Sequence, residues 1–189
     1  MEILYHFKFE DGEDREFRLR FDDETLGLLG GGRSFYPDWT RLTHHQCANC
    51  PLKAEQSPNC PIAERLSDVV ETFKDRGSAD KIEITVTTEQ RQFRKRASVS
   101  DGVSAIMGLV MASSGCPVMD RLRPMVRTHL PFATHEETMY RLLSMYVFSQ
   151  YFRIERGEKP DWKMAKLAAM LEDFLEVNRS FCARIRGIC

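Results

Sequence analysis

"MEILYHFKFEDGEDREFRLRF", residues 1–21, alternates apolar and polar side chains on both sides of an acidic turn that contains a glycine. Ile3, Tyr5, Phe7 and Phe9 are separated by Leu4, His6 and Lys8, and Phe17, Leu19 and Phe21 by Arg18 and Arg20. Successive side chains of an extended chain point to opposite faces, so a period of two predicts a β-hairpin with one buried face. The pattern returns in "KIEITVTTEQRQFRKRA", residues 81–97, where Ile82, Ile84 and Val86 alternate with Glu83 and Thr85 and a turn near Glu89 leads back to Phe93. Between the two hairpins Ile62, Leu66, Val69, Val70 and Phe73 recur at helical spacing, giving the order β-β-α-β-β.

Beyond residue 98 the periodicity is helical. A stretch over about residues 100–113 ends at the glycine signal Gly115, and a second from Pro117 to about Thr128 is interrupted at Pro124. Thr134 with Glu137 three residues on is a capping box opening a long helix to about Arg156. That helix is apolar around most of its circumference and is expected to be a central element packed on several sides. The last helix, from about Asp161, carries Leu167, Leu171, Phe174, Phe181 and Ile185 on one stripe, with Cys182 expected in the core. The fold class is therefore α+β: an N-terminal sheet of two β-hairpins with an intervening helix, followed by a C-terminal bundle of about four helices. Without repeat or linker, residues 1–189 read as a single domain, with a sheet lobe over 1–97 and a helical lobe over 98–189.

A formal net charge of -1, with 42% hydrophobic and 29% charged residues, fits a soluble globular chain and supplies no basic field for nucleic acid or anionic membrane. The basic run "RQFRKR", residues 91–96, reads as an edge strand protected by charge. "LGGGR", residues 29–33, lacks the Lys-Ser/Thr of a phosphate loop and reads as a flexible turn. No stretch approaches the roughly 20 apolar residues of a membrane span. The first residues lack the basic and apolar regions of a secretory signal, so cytoplasmic residence is expected.

In a reducing compartment clustered cysteines point to metal or thiol chemistry rather than to disulfides. "HHQCANCPLKAEQSPNCPIAERL", residues 44–66, holds Cys47 and Cys50 in a C-x2-C pair, with Cys60 ten positions further on. One tight turn presents two sulfurs at that spacing to a single ion. Cys116 stands apart in "SSGCPVMD". Proline follows Cys50, Cys60 and Cys116, and proline opens helices, so Cys60 and Cys116 are expected as N-caps where free N–H groups favour a thiolate. The expected ligand set is Cys47, Cys50, Cys60 and Cys116, with His45 or His44 as a replacement or outer partner. Cys-Pro recurs beside iron–sulfur ligands and the second C-x2-C knuckle of a zinc site is missing, which places a 4Fe-4S iron–sulfur cluster ahead of zinc, with metal-free thiols as the remaining case.

Two rival readings use the same residues. Cys60 or Cys116 can act as the nucleophile of a thiol-redox enzyme or sensor, or the apolar helices can form a homodimer while the cysteines only staple the lobes together. His129 reads as a cation ending a helix, Glu136 and Glu137 as the acidic start of the next, and Arg121, Arg123 and Arg127 as a solvated face. Cys189 reads as a frayed terminus.

At "HQCANCPL…CPIA" and "SSGCPVMDRLRPMVRTHLPFAT…EET" the chain resembles a family of uncharacterised bacterial proteins of about this length, in which such Cys-Pro and His-Leu-Pro-Phe-Ala segments recur. The resemblance implies that Cys47, Cys50, Cys60 and Cys116 belong to one feature, and draws attention to His45 and His129. It implies no activity.

Overall fold

The two alternating stretches form the hairpins that their period predicts. A computed structural model describes residues 1–30, 33–186 and 188. In it β1 (Glu2–Phe9) pairs antiparallel with β2 (Asp14–Arg20), and β3 (Lys81–Thr88) with β4 (Gln92–Ser98). α1 (Pro61–Phe73) carries the chain between them and lets β3 pair antiparallel with β1, so one sheet runs β2-β1-β3-β4. Ile3, Tyr5, Phe7, Phe9, Ile82, Ile84 and Val86 share the buried face. The opposite face is charged and laced by ion pairs such as Glu2 with Arg18 and Arg20. Burying each such aliphatic or aromatic side chain stabilises the fold by roughly 1.5–3 kcal/mol, so this face is the dominant favourable term.

α1 covers that face with Ile62, Ala63, Leu66, Val69, Val70 and Phe73, and α2 (Val99–Ser113) lies beside it. The start of α2 is fixed by a capping box in which Asp101 N–H donates to Ser98 Oγ (3.1 Å) and Ser98 N–H to Asp101 Oδ2 (3.2 Å). Gly102 permits its close approach: a Cβ there would stand 2.6 Å from Ile84 Cδ1 and 2.7 Å from Phe7 Cε1. The helix expected from Pro117 is broken. A single 3-10 turn, Met119–Leu122, precedes the four-residue α3 (Pro124–Arg127), since Pro124 has no N–H and serves only as a helix start.

The box at Thr134 and Glu137 opens α4 (His135–Glu155) as the sequence predicts, with Glu137 N–H donating to Thr134 Oγ1 at 3.1 Å and Thr134 N–H to Glu137 Oε2 at 2.7 Å. α4 is not central, however. It buries only Leu142, Tyr146 and Gln150, while Tyr140 is 75%, Phe148 62% and Tyr151 51% exposed. α5 (Ala165–Ile185) buries Leu167, Met170, Phe174, Val177, Phe181 and Arg184 at alternating steps of three and four. Cys182 lies off this stripe and is exposed, which corrects its expected place in the core. The core is one contiguous cluster from Ile3 to Phe181. Among the described residues no helix is long and apolar enough to cross a membrane. Gly31, Gly32 and Cys189, and with them the readings of the glycine turn and the terminus, lie outside the described residues.

Candidate metal centre

The cysteine loop is closed at its base before any sulfur is considered. Leu42 N–H donates to Pro58 O (2.8 Å), Cys60 N–H donates to Thr40 O (2.8 Å), and Arg41 bridges Asn59 antiparallel. Inside the loop Cys50 N–H donates to Cys47 O at 3.0 Å, the tight turn that C-x2-C spacing needs. Pro61 is the first residue of α1 and Cys60 its N-cap, as expected, although no side-chain cap bond forms. Cys116 arrives from the far end of the sequence, after Gly115 turns the chain out of α2 with φ +90°. It caps no α-helix, which corrects the expectation from Pro117. The turn itself supplies what the helix would have: the N–H groups of Met119 and Val118 both serve the Cys116 sulfur.

Cys47 lies within electrostatic reach of the other three cysteines. Burial pushes the Cys47 thiol up, and Cys60, Cys50 and Cys116 are each near enough to raise it further by like-charge repulsion. Burial likewise pushes the Cys116 thiol up, against its two backbone donors, with Cys60 and Cys50 adding to the rise. All four, like Cys182, are free of disulfides.

α5 backs this cluster with groups that sequence reasoning missed. Asn49, inside the C-x2-C turn, donates from Nδ2 to Asp173 O and Oδ1, both at 3.1 Å, and Ala48 N–H donates to Glu176 Oε1 at 3.4 Å. Arg121 lies exposed, as expected, and reaches the same Asp173 at 2.8 Å, which ties the Cys116 turn to α5. Asn49 first and Arg121 second hold the Asp173 carboxyl below the usual carboxylate range. The Ser180 hydroxyl, 3.0 Å from Glu176 Oε1, also serves the Cys47 sulfur.

Arg184 is the residue of most consequence. It is 2% exposed, and its guanidinium donates only to carbonyls: Nη1 to Trp39 O (2.8 Å) and Arg41 O (2.6 Å), Nη2 to Leu42 O (3.3 Å). Among the described residues it has no carboxylate partner. Burial lowers its pKa, and the groups that act in the opposite sense are Cys60, Cys47 and Cys50. A buried cation is costly unless an anion faces it, and here the facing groups are thiols. The available signal was a single arginine at a core step of the α5 stripe.

Two limits on the site are plain. Among the described residues no three His, Cys, Asp or Glu side chains stand as a preformed ligand set for a metal ion. His45 is exposed, with φ +47°, and its ring packs edge-on against His44 at 4.8 Å; among the described residues no hydrogen bond or ring contact joins either imidazole to the sulfurs.

The family model of a domain of unknown function, DUF6901, matches residues 3–189. The chain belongs to that family. The match takes in both hairpins, these four cysteines and Arg184. No match is found among curated proteins or among solved structures. In this DUF6901 chain His129 is no helix-ending cation. Its Nε2 stands 2.5 Å from Tyr5 Oη, and burial first, then the charge of Arg141, hold its pKa down to about 4.

Proposed function

We propose that Cys47, Cys50, Cys60 and Cys116 together bind one metal centre, a 4Fe-4S cluster ahead of zinc, and that this centre staples the cysteine loop to the turn after α2 in a structural, redox or sensory role. The observation that carries the reading is the mutual electrostatic reach of four cysteines from three separate chain segments, around a buried arginine with no acid. At Cys47 and Cys116 a ligand bond would remove a proton from a thiol that burial now protects, and the Arg184 charge would offset the resulting anion. His45 is outside the proposed set.

Anaerobic purification followed by elemental analysis and a visible spectrum tests this directly. Iron and sulfide with visible absorption are expected, and Cys47→Ser or Cys116→Ser should lose both the metal and part of the stability. One zinc per chain without colour would keep the site and change its metal. Neither metal, with all four thiols titrating freely, would overturn the proposal.

The exposed face of α4 supports a homodimer. Phe148, Tyr151 and Phe152 cluster there with ring centroids 4.9–6.3 Å apart. The mass in solution distinguishes one copy from two.

A further inference from the structure

Lys95 interrupts the apolar side of β4. The register sets it opposite Ile84, between Phe93 opposite Val86 and Ala97 opposite Ile82. That is the core side of the sheet at its edge strand, where Lys95 is exposed and its ammonium stands 5.6 Å from the centroid of the Phe132 ring. It lines a cavity of about 420 Å³ between β4, α2, residues 122–133 and α4. Small-molecule sites span roughly 300–1,000 Å³.

The walls of this cavity sort into an apolar floor and a set of polar groups. Ala105, Gly108 and Leu109 of α2 face Met125 and Val126 across it. Arg141 donates from Nη2 to Met125 O at 3.0 Å, while its Nε is buried and has no partner among the described residues. His129 has Nε2 engaged with Tyr5, and its Nδ1 has no partner among the described residues. Tyr5 Oη donates its one hydrogen to Ala105 O at 3.2 Å, so the neutral ring carries its hydrogen on Nε2, which donates to Tyr5 Oη, and Nδ1 is left as an acceptor. Among the described residues neither Lys95 nor Arg141 forms an ion pair. The one carboxylate of the wall, Asp101, is occupied by the backbone and hydroxyl of Ser98. The cavity therefore offers two cations beside apolar surface, and lacks a free acid among its described lining.

We propose that this cavity binds a small carboxylic acid with an apolar body, its carboxylate held by Arg141 and Lys95 and its body lying along Ala105, Gly108 and Leu109. A carboxylate gives Arg141 Nε the acceptor it lacks, in the planar geometry that a guanidinium favours. This site is independent of the cysteine cluster, and neither reading depends on the other.

The test uses Gly108, where a Cβ would meet no atom within 4 Å. Gly108→Leu fills the cavity from a helical position and raises helix propensity, so the variant should fold at least as stably as the parent. Octanoate and 4-phenylbutyrate, with 1-octanol as the uncharged control, are titrated calorimetrically into the full chain, Gly108→Leu and Arg141→Gln. Saturable binding of at least one acid is expected, abolished in Gly108→Leu. In Arg141→Gln it should weaken by about tenfold or more, the loss expected of a charge-assisted hydrogen bond, with 1-octanol unaffected. No saturable binding of either acid at millimolar concentration, or equal binding by the folded Gly108→Leu variant, overturns the proposal.

Discussion

Two side chains on this molecule carry charge chemistry inside apolar surroundings, and each yields a measurable consequence. His129 remains neutral in the fold down to a pKa of about 4, whereas an unperturbed imidazole protonates near 6.5. Between those values the unfolded chain binds a proton that the folded chain refuses, so stability is fully present above about 6.5 and falls as pH drops towards about 4. The loss is up to about 3 kcal/mol from this group. Urea unfolding across that range, in the parent and in His129→Asn, should show a shallower slope in the variant; equal slopes would place the ring in solvent. Arg184→Met removes the only described donors to Trp39 O and Leu42 O and one of two to Arg41 O, and should cost about 3 kcal/mol or more, with Arg184→Lys recovering only part because an ammonium lacks the planar fork. The C-x2-C pair, Cys60 and its N-cap role were readable from spacing and proline alone. The arrival of Cys116 and the placing of Arg184 behind the sulfurs were not, since both depend on tertiary contacts more than 50 residues apart in sequence.

Among the elements, those fixed by a local signal agree with expectation and those fixed by what they pack against do not. The hairpins follow from a period of two, and α2 and α4 begin at capping boxes, each of which needs only a few neighbouring residues. The circumference of α4 misled for a physical reason. An aromatic side chain that faces solvent, or a second chain, carries the same hydropathy as one in the core, and nothing local distinguishes Phe148 from Phe174. Helix α2 allows a sharper test because it carries two glycines with opposite surroundings. Gly102→Ala drives a methyl into Ile84 and Phe7 and should destabilise by about 1–3 kcal/mol, as overpacking does. Gly108→Ala meets open space and should stabilise by about 0.5–1 kcal/mol. Thermal unfolding of the two variants should therefore shift in opposite directions; a common direction would mean that α2 sits differently on the sheet.

At the scale of the whole molecule, the cysteine cluster joins a loop of the sheet lobe, the cap of α1, the turn after α2 and, through Asn49 and Arg184, helix α5. Any ion bound there favours the folded chain by mass action, because an unfolded chain does not hold the four sulfurs together. The sign of its pH dependence follows from the thiols. Burial raises Cys47 and Cys116 above their ordinary value, so the metal-free fold keeps protons that metal binding must expel. Affinity should then fall as pH is lowered, with proton release on binding, while the metal-free chain shows the opposite trend at high pH, losing stability as the unfolded thiols ionise first. Anaerobic titration of the metal-free protein with zinc at two pH values, followed by unfolding with and without a chelator, measures both effects. A chelator should lower the unfolding midpoint of the parent and leave that of Cys116→Ser unchanged. A midpoint that ignores the chelator in both would show that the four elements hold together by packing alone, with the buried Arg184 charge carried by its three carbonyls.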